Sequence, residues 1–164
     1  MAQNNRVYKT AVYELKNPSK YKGTKAPKFK SSFEERMFWW CDVNENVLEW
    51  SYEPYPIDYI FEVSPSAPLH EQQLVDNKSH KYYPDVVAKI KTNQGVVNYI
   101  LEIKPYSQTV KPTEPKKKTK KAMNKYLTAL QEFLKNAKKW EACREYARKR
   151  DMKFWVLTER DLFA

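Results

Sequence analysis

Two acids and a lysine flank the clearest hairpin pattern in this sequence. Tyr82–Lys91 and Val96–Lys104 are rich in β-branched and aromatic residues, and a Thr-Asn-Gln-Gly turn joins them. If the hairpin is centred on the middle of this turn, the numbers of paired residues sum to 187. Asp85 then lies opposite Glu102, and Lys104 lies two residues further along on the same face. A longer turn would shift the register by one residue and separate the acids.

Two carboxylates at directly opposed strand positions suit a divalent cation. The β-carbons of such a pair are only about 4.5–5.5 Å apart, so the two charges repel unless a cation lies between them. A cation with oxygen ligands removes that repulsion, and the Lys104 ammonium could orient and help to deprotonate a water. Metal-assisted phosphodiester hydrolysis requires this combination. The alternative is ordinary charge alternation on a strand, with Glu102 paired by Lys104 or Lys89.

The elements that precede the hairpin can also be predicted. Ser31 followed by Glu34 is a capping-box pattern and predicts a helix that ends near Asp42. Val47–Tyr52 and Ile57–Val63 are predicted strands. The next stretch, residues 64–80, is predicted to be a long loop. The start of the chain, residues 1–30, is predicted to be a basic arm with a short strand at Val7–Leu15.

After the hairpin the pattern changes from strands to a helix. From Lys118 to Lys149 apolar residues recur at alternating spacings of three and four, which predicts one long amphipathic helix. Met152–Leu157 is a predicted closing strand, and Thr158 is a predicted cap for a last helical turn. The order predicts an α/β fold with a mixed central sheet flanked by helices. Residues 31–164 are expected to form a single domain.

A set of motifs spread over residues 31–160 carries a resemblance to a known family. Asp85 follows Tyr-Pro, sixteen residues intervene, and Glu102-Ile103-Lys104-Pro105 follows, which resembles the signature of PD-(D/E)XK nucleases. Ser31-Ser32-Phe33-Glu34 fits the N-terminal helix of that superfamily. Together with Lys139-Trp140 and Val156-Leu157-Thr158-Glu159, the layout resembles the TnsA-like branch, whose small stand-alone members resemble head-completion nucleases of tailed phages.

The resemblance implies a restriction-endonuclease-like core and assigns the site residues. Glu34, Asp85, Glu102 and the backbone carbonyl of Ile103 would hold one or two Mg²⁺ ions, with Mn²⁺ as a substitute. Lys104 would position and activate water for attack on DNA. Glu35 competes with Glu34 because both follow a serine in the first helical turn. Glu53, where the family often carries glutamine, would be either a fourth acid of the site or, as favoured here, an exposed side chain.

The resemblance also implies a biological setting, namely DNA-end processing or head completion in a phage. Its candidate partners are DNA, phage head or portal proteins and a second copy of the chain. The expected location is the cytoplasm, that of the host for a phage protein, or the virion. Two alternatives stay open, a TnsA-like recombination subunit and a basic DNA-binding or structural protein without catalysis. No run approaches the ~20 apolar residues of a membrane span, so no membrane partner is expected.

The net charge of +10 is concentrated in two stretches. Residues 1–30 carry eight Lys or Arg and one acid, and residues 111–125 carry seven Lys and one acid. Clustered positive charge favours a polyanionic partner such as DNA. The lysines of the second stretch are the predicted phosphate contacts, although a solvated linker would have the same composition. They are Lys111, Lys116, Lys117, Lys118, Lys120, Lys121 and Lys125.

Cysteine and histidine contribute little to this prediction. Cys41 and Cys143 are far apart and lack metal-type spacing, so both are expected to be small buried residues. His80 could touch a phosphate or carry a proton, but a neutral loop histidine is the favoured interpretation. Nothing in the sequence supports a role for His70.

Overall fold

The computed structural model describes residues 10–163. Its strands are β1 (Ala11–Val12), β2 (Lys28–Phe29), β3 (Val47–Tyr52), β4 (Ile57–Ile60), β5 (Ser79–Tyr82), β6 (Val86–Thr92), β7 (Gly95–Ile103) and β8 (Lys153–Leu157). Its α-helices are α1 (Ser32–Val43), α2 (Leu69–Gln72), α3 (Lys120–Lys149) and α4 (Glu159–Leu162). Short 3₁₀ turns occupy Pro18–Lys20 and Tyr106–Gln108.

The centre of the fold is a four-stranded sheet in the order β3-β6-β7-β8. β3, β6 and β7 are antiparallel neighbours, whereas β7 and β8 run parallel. A parallel pair needs a crossover connection, and the long helix α3 supplies it. The predicted mixed sheet flanked by helices is therefore confirmed.

Apolar residues cover both faces of this sheet. On one face, Met37, Phe38 and Cys41 of α1 pack against Trp50, Leu101 and their neighbours. On the other face, α3 and the antiparallel strands β4 and β5 form a second core with Ile100. Because β7 contributes alternate residues to the two cores, its far end lies between α1 and α3. Residues from both helices can therefore reach the end of that strand.

The predicted hairpin and its register are confirmed. Val86 pairs with Leu101 and Thr92 pairs with Gly95, so paired residue numbers sum to 187. Gly95 has a φ of 107°, which a residue with a β-carbon rarely adopts. Thr92 Oγ1 donates to the Gly95 carbonyl at 2.8 Å, which closes the turn.

The three predicted helices are present, and the two predicted caps, Ser31 and Thr158, are confirmed. Ser31 Oγ accepts a hydrogen bond from Glu34 N at 3.2 Å and begins α1. Thr119 caps α3, so that helix begins two residues later than the sequence predicts. Thr158 caps α4 in a complete capping box with Asp161.

Two predictions about the middle of the chain are wrong. Residues 64–80 are not a plain loop, because they contain α2 and the first residues of β5. The predicted strand Tyr82–Lys91 is two strands separated by Pro84, which has no N–H to donate to a sheet. β5 pairs with β4 instead of continuing into the central sheet.

Some predicted segments are shorter than expected or lie partly outside the described residues. The predicted strand Ile57–Val63 ends at Ile60. Of the predicted strand Val7–Leu15, the structure has Ala11–Val12, and residues 7–9 lie outside the described part. Both cysteines are buried and free, as predicted. Within residues 10–163, no helix has the length and apolar character needed to cross a bilayer.

Candidate active site

The confirmed register brings Asp85 and Glu102 together at the start of β6. Asp85 precedes the first paired residue of β6, and its backbone N lies 3.4 Å from Glu102 Oε2. Asp85 Oδ2 accepts a hydrogen bond from Ile103 N at 2.8 Å, which ties its carboxylate to β7. The Asp85 carbonyl accepts from Glu53 N at 3.1 Å. Backbone contacts from two neighbouring segments therefore fix the position of this acid.

Glu102 is the more deeply buried acid of the pair, with only 4% of its surface exposed. Its side chain lies on the α3 face of the sheet, where the Tyr82 hydroxyl donates a hydrogen bond to Oε2. Burial raises the pKa of Glu102, and the bond from Tyr82 opposes that change. Burial and the nearby Glu102 charge raise the pKa of Asp85 well above its usual range. The two acids thus repel each other in a desolvated site.

Two lysines supply positive charge to this acid pair. Lys104 follows β7, and its backbone N donates to the Leu157 carbonyl at 3.0 Å. Its charge opposes the rise in the pKa values of both acids. Lys139 of α3 is half-buried, with Nζ 5.3 Å from the centre of the Tyr82 ring. Burial, followed by repulsion from Lys104, lowers the pKa of Lys139.

Lys139 is a site neighbour to which the sequence analysis assigned no role. The Lys-Trp pair in the long helix was the signal that could have identified it. Trp140 is buried, and Lys139 directly precedes it on the same helix. Only the packing of α3 against Tyr82 shows that Lys139 lies beside Glu102.

Glu34 approaches from α1, on the opposite side of the sheet end. It lines a cleft of about 700 Å³ together with Asp85, Tyr52 and Glu53. Its Oε2 accepts a hydrogen bond from Lys30 N at 2.7 Å. In the expected capping box the Glu34 carboxylate would accept from the backbone N–H of Ser31, but it accepts from that of Lys30 instead. Glu35 is exposed and lines a different cavity with Arg36, so α1 directs Glu34 and not Glu35 toward Asp85.

Glu53 is not the exposed side chain that the sequence analysis favoured. It is half-buried and lines the same cleft as Glu34 and Asp85. Its φ of 41° lies in the left-handed region, which is uncommon for a residue other than glycine. Its carboxylate lies 4.0 Å from Lys25 Nζ. The strained backbone turns Glu53 into the cleft after β3 ends.

The lysine stretch lies farther from the acids than its position after Lys104 suggests. Lys125 precedes Lys139 by fourteen residues of one helix, a distance of about 21 Å along the axis. Lys111 contacts Glu71 at 3.2 Å, and Lys118 contacts Glu114 at 3.0 Å. All seven predicted lysines of this stretch are exposed.

The histidines are placed away from the acid pair. His80 Nε2 lies 2.7 Å from Asp76 Oδ2, and its ring stacks on Tyr59 with 5.5 Å between ring centres. His70 is exposed on α2. The predicted loop placement of His80 is wrong, because His80 lies on β5 and pairs with Tyr59 of β4.

The donor set fits a hard divalent cation. Asp85 and Glu102 offer carboxylate oxygens at one sheet end, and each keeps lone pairs beyond the hydrogen bonds described above. The repulsion within this buried pair is what a bound cation relieves. Within residues 10–163, no three acidic, cysteine or histidine side chains already converge as ligands. Glu34 and the Ile103 carbonyl are the nearest further oxygen donors that the family resemblance nominates.

The fold and this arrangement of acids and lysines define a restriction-endonuclease-like α/β protein. Comparison with known proteins gives the family. The TnsA-like endonuclease N-terminal family matches residues 44–159. A head completion nuclease of Enterobacteria phage T4 is 30% identical over 150 residues, which cover 91% of this chain and 90% of that relative. The chain belongs to the TnsA-like endonuclease family.

Proposed function

We propose that this chain is a divalent-metal-dependent DNA endonuclease whose active site is Glu34, Asp85, Glu102 and Lys104. The observation that carries the proposal is the juxtaposition of two desolvated, mutually repelling acids with Lys104 at one end of the sheet. A buried like-charge pair is destabilising for the fold, so its presence points to a ligand. Membership of an endonuclease family supports the same conclusion.

Each residue has a distinct part in the proposed reaction. Asp85 and Glu102, with Glu34 and the Ile103 carbonyl, hold Mg²⁺ or Mn²⁺. When bound, the cation polarises the scissile phosphate and stabilises the charge that develops on it. Lys104 orients the attacking water through its ammonium group and favours loss of the water proton.

The supporting residues keep these groups in place. Tyr82 holds the Glu102 carboxylate on the α3 face, and the backbone N–H of Ile103 holds that of Asp85. Lys139 adds positive charge beside Glu102, which favours the ionised form of that acid. Such preorganisation matters because small displacements of positioned groups weaken catalysis strongly.

The proposed biological role is DNA-end processing or head completion in a phage. The T4 relative carries the name head completion nuclease, and the similarity spans nearly the whole of both chains. Host cytoplasm and the virion are the proposed locations. A TnsA-like recombination subunit is the second candidate, because the matching family carries the description TnsA-like endonuclease.

A cleavage assay tests the proposed activity. Linear, circular, single-stranded and branched DNA are incubated with the protein in Mg²⁺, Mn²⁺ or EDTA. Cleavage in either metal, absent in EDTA, is expected. Asp85→Ala and Lys104→Ala are each expected to reduce the rate by about 10²-fold or more, in line with the usual contribution of acid–base groups.

Matched surface variants make this test specific. Asp58→Ala removes an exposed acid and Lys91→Ala an exposed lysine, so both should cleave at the parent rate. Absence of cleavage on every substrate, with equal DNA binding by all variants, would overturn the proposal. It would leave a DNA-binding or structural protein on a nuclease fold.

A further inference from the structure

Three lysines from the segment before α1 line the cleft that contains Glu34 and Asp85. They are Lys25, Lys28 and Lys30. This segment lies outside the family match, which begins at residue 44. It also lies outside the stretch of lysines that the sequence analysis nominated for DNA contacts. The cleft is therefore lined both by carboxylate residues and by a separate group of lysines.

The backbone that carries these lysines is anchored to the core. β1 and β2 pair through Ala11 with Phe29 and Val12 with Lys28. Tyr13 N donates to the Pro27 carbonyl at 2.8 Å, and the Tyr13 side chain is buried. These contacts fix the segment in place, so its lysines occupy defined positions beside the cleft.

Local geometry directs two of these lysines away from the core. Phe29 packs against the α1-side core, whereas Lys28 and Lys30 on either side of it are exposed. In extended backbone, residues two apart point the same way and lie about 7 Å apart. Both lysines can therefore extend from the same side of this segment.

The charges of these lysines are only weakly neutralised by the protein. Among residues 10–163, Lys28 and Lys30 have no acidic group within ion-pair distance, and Lys25 has Glu53 at 4.0 Å. Lys25 Nζ also lies 4.2 Å from the centre of the Tyr83 ring, two residues before Asp85. By contrast, Lys111 and Lys118 have acids at 3.2 and 3.0 Å.

We propose that Lys25, Lys28 and Lys30 bind the DNA phosphates that flank the bond to be cut. The inference rests on the proposed function, because it places the substrate in the cleft of Glu34 and Asp85. Phosphate contacts of this type position the substrate without reading its sequence. Lys125 of the second lysine stretch lies about 21 Å from Lys139 along the axis of α3, so that stretch is peripheral to the proposed cut.

A salt titration of DNA binding tests this assignment. Fluorescence anisotropy in EDTA measures Kd for a labelled duplex and for the corresponding single strand without cleavage. Three triple variants lose the same charge. They are Lys25→Ala/Lys28→Ala/Lys30→Ala, Lys116→Ala/Lys117→Ala/Lys118→Ala, and the control Lys78→Ala/Lys91→Ala/Lys153→Ala, whose lysines are exposed and do not line the cleft.

The cleft variant, Lys25→Ala/Lys28→Ala/Lys30→Ala, is expected to lose the most affinity for DNA. Its plot of log K against log salt should be shallower by about 2–3, since each duplex phosphate contact contributes about 0.9 and each single-strand contact about 0.7. Its Kd should rise about 10-fold or more, while the control changes less than about twofold. The charge-preserving variant Lys25→Arg/Lys28→Arg/Lys30→Arg should bind like the parent, which separates loss of charge from loss of folding.

Two results would overturn the inference. One is equal weakening by all three triple variants, which would mean that only bulk charge matters. The other is a larger loss from the 116–118 variant than from the cleft variant. The cleavage assay tests the proposed function separately. If the parent never cleaves DNA in Mg²⁺ but the cleft variant still binds DNA more weakly than the other variants, the proposed function fails and the assignment of these lysines as phosphate contacts stands.

Discussion

Asp42 and Glu102 are both buried, but in very different surroundings. Asp42 at the end of α1 is fully buried, and its carboxylate accepts hydrogen bonds from Tyr13 Oη, Lys16 N and Asn17 N at 2.7–3.0 Å. Glu102 is almost as buried, but within residues 10–163 its carboxylate accepts hydrogen bonds only from the Tyr82 hydroxyl and, at 3.4 Å, from Asp85 N. Asp42 faces hydrogen-bond donors, whereas Glu102 faces a second carboxylate.

The difference separates an acid that holds the fold together from one that we propose to be a cation ligand. Burial of a carboxylate is costly unless hydrogen bonds replace its hydration. Asp42 meets that requirement within the protein and ties the segment before α1 to the core. Glu102 and Asp85 have fewer such donors and repel each other, and in the proposed site a bound cation would relieve that repulsion. Burial alone therefore does not nominate an acid as a metal ligand, whereas burial against a second acid supports that proposal.

The largest expected effect on folding is that of Asp42→Ala. The substitution leaves the Tyr13 hydroxyl and two backbone N–H groups without their acceptor, so the free energy of unfolding should fall by about 3 kcal/mol. Urea denaturation at pH 7 measures it. Asp58→Ala, which removes an exposed acid with one lysine contact at 3.2 Å, should change it by less than about 1 kcal/mol. Equal midpoints for the two variants would show that the Asp42 contacts contribute nothing.

Glu102→Gln should raise the free energy of unfolding when no metal is present. The amide keeps an acceptor for the Tyr82 hydroxyl but removes one charge from the repelling pair. Because the pKa of Glu102 is raised in the folded state, the ionised acid destabilises the parent above its ordinary pKa of about 4.5. The variant should therefore unfold at a higher temperature than the parent at pH 8 in EDTA.

The pH dependence provides the control for this prediction. As the pH falls toward 5, the parent acid takes up its proton and the advantage of Glu102→Gln should shrink. Mg²⁺ should raise the Tm of the parent at pH 8 and have much less effect on the variant. An advantage that is constant between pH 5 and pH 8 would refute charge repulsion as its cause.

The smallest expected effect is that of Tyr82→Phe. The ring and its packing remain, but Glu102 loses the donor that lowers its pKa. Stability should fall by about 1 kcal/mol, and the acid limb of the cleavage rate should move to higher pH. Tyr59→Phe alters another buried tyrosine on the neighbouring strand and should leave that limb unchanged. Coincident pH profiles for the parent and both variants would remove Tyr82 from the site.

Much of the fold and the centre of the candidate site could be predicted from the sequence. The Thr-Asn-Gln-Gly turn fixes the hairpin register, because a one-residue slip would move every side chain to the other face. Asp85, Glu102 and Lys104 therefore come together through local pairing between residues that are close in the chain. The cap at Ser31 similarly fixes where α1 begins and thus where Glu34 lies on it.

The errors share one physical origin, which is dependence on contacts between distant segments. β5 exists because Ser79–Tyr82 finds β4 as a partner, and nothing in its own residues distinguishes it from the preceding loop. Glu53 turns into the cleft because its backbone is held in the left-handed region beside Asp85. A strand pattern that ends at Pro54 does not encode that conformation.

The sequence by itself determined the hairpin, the helix caps and the order of acids and lysine along the chain, because turns, caps and alternation act over a few residues. The tertiary structure alone decided which further groups join them. Lys139 reaches Glu102 through the packing of α3, and Lys25, Lys28 and Lys30 reach the cleft because Asp42 and Tyr13 dock their segment. Those contacts join residues tens of positions apart, and only the folded chain brings them together.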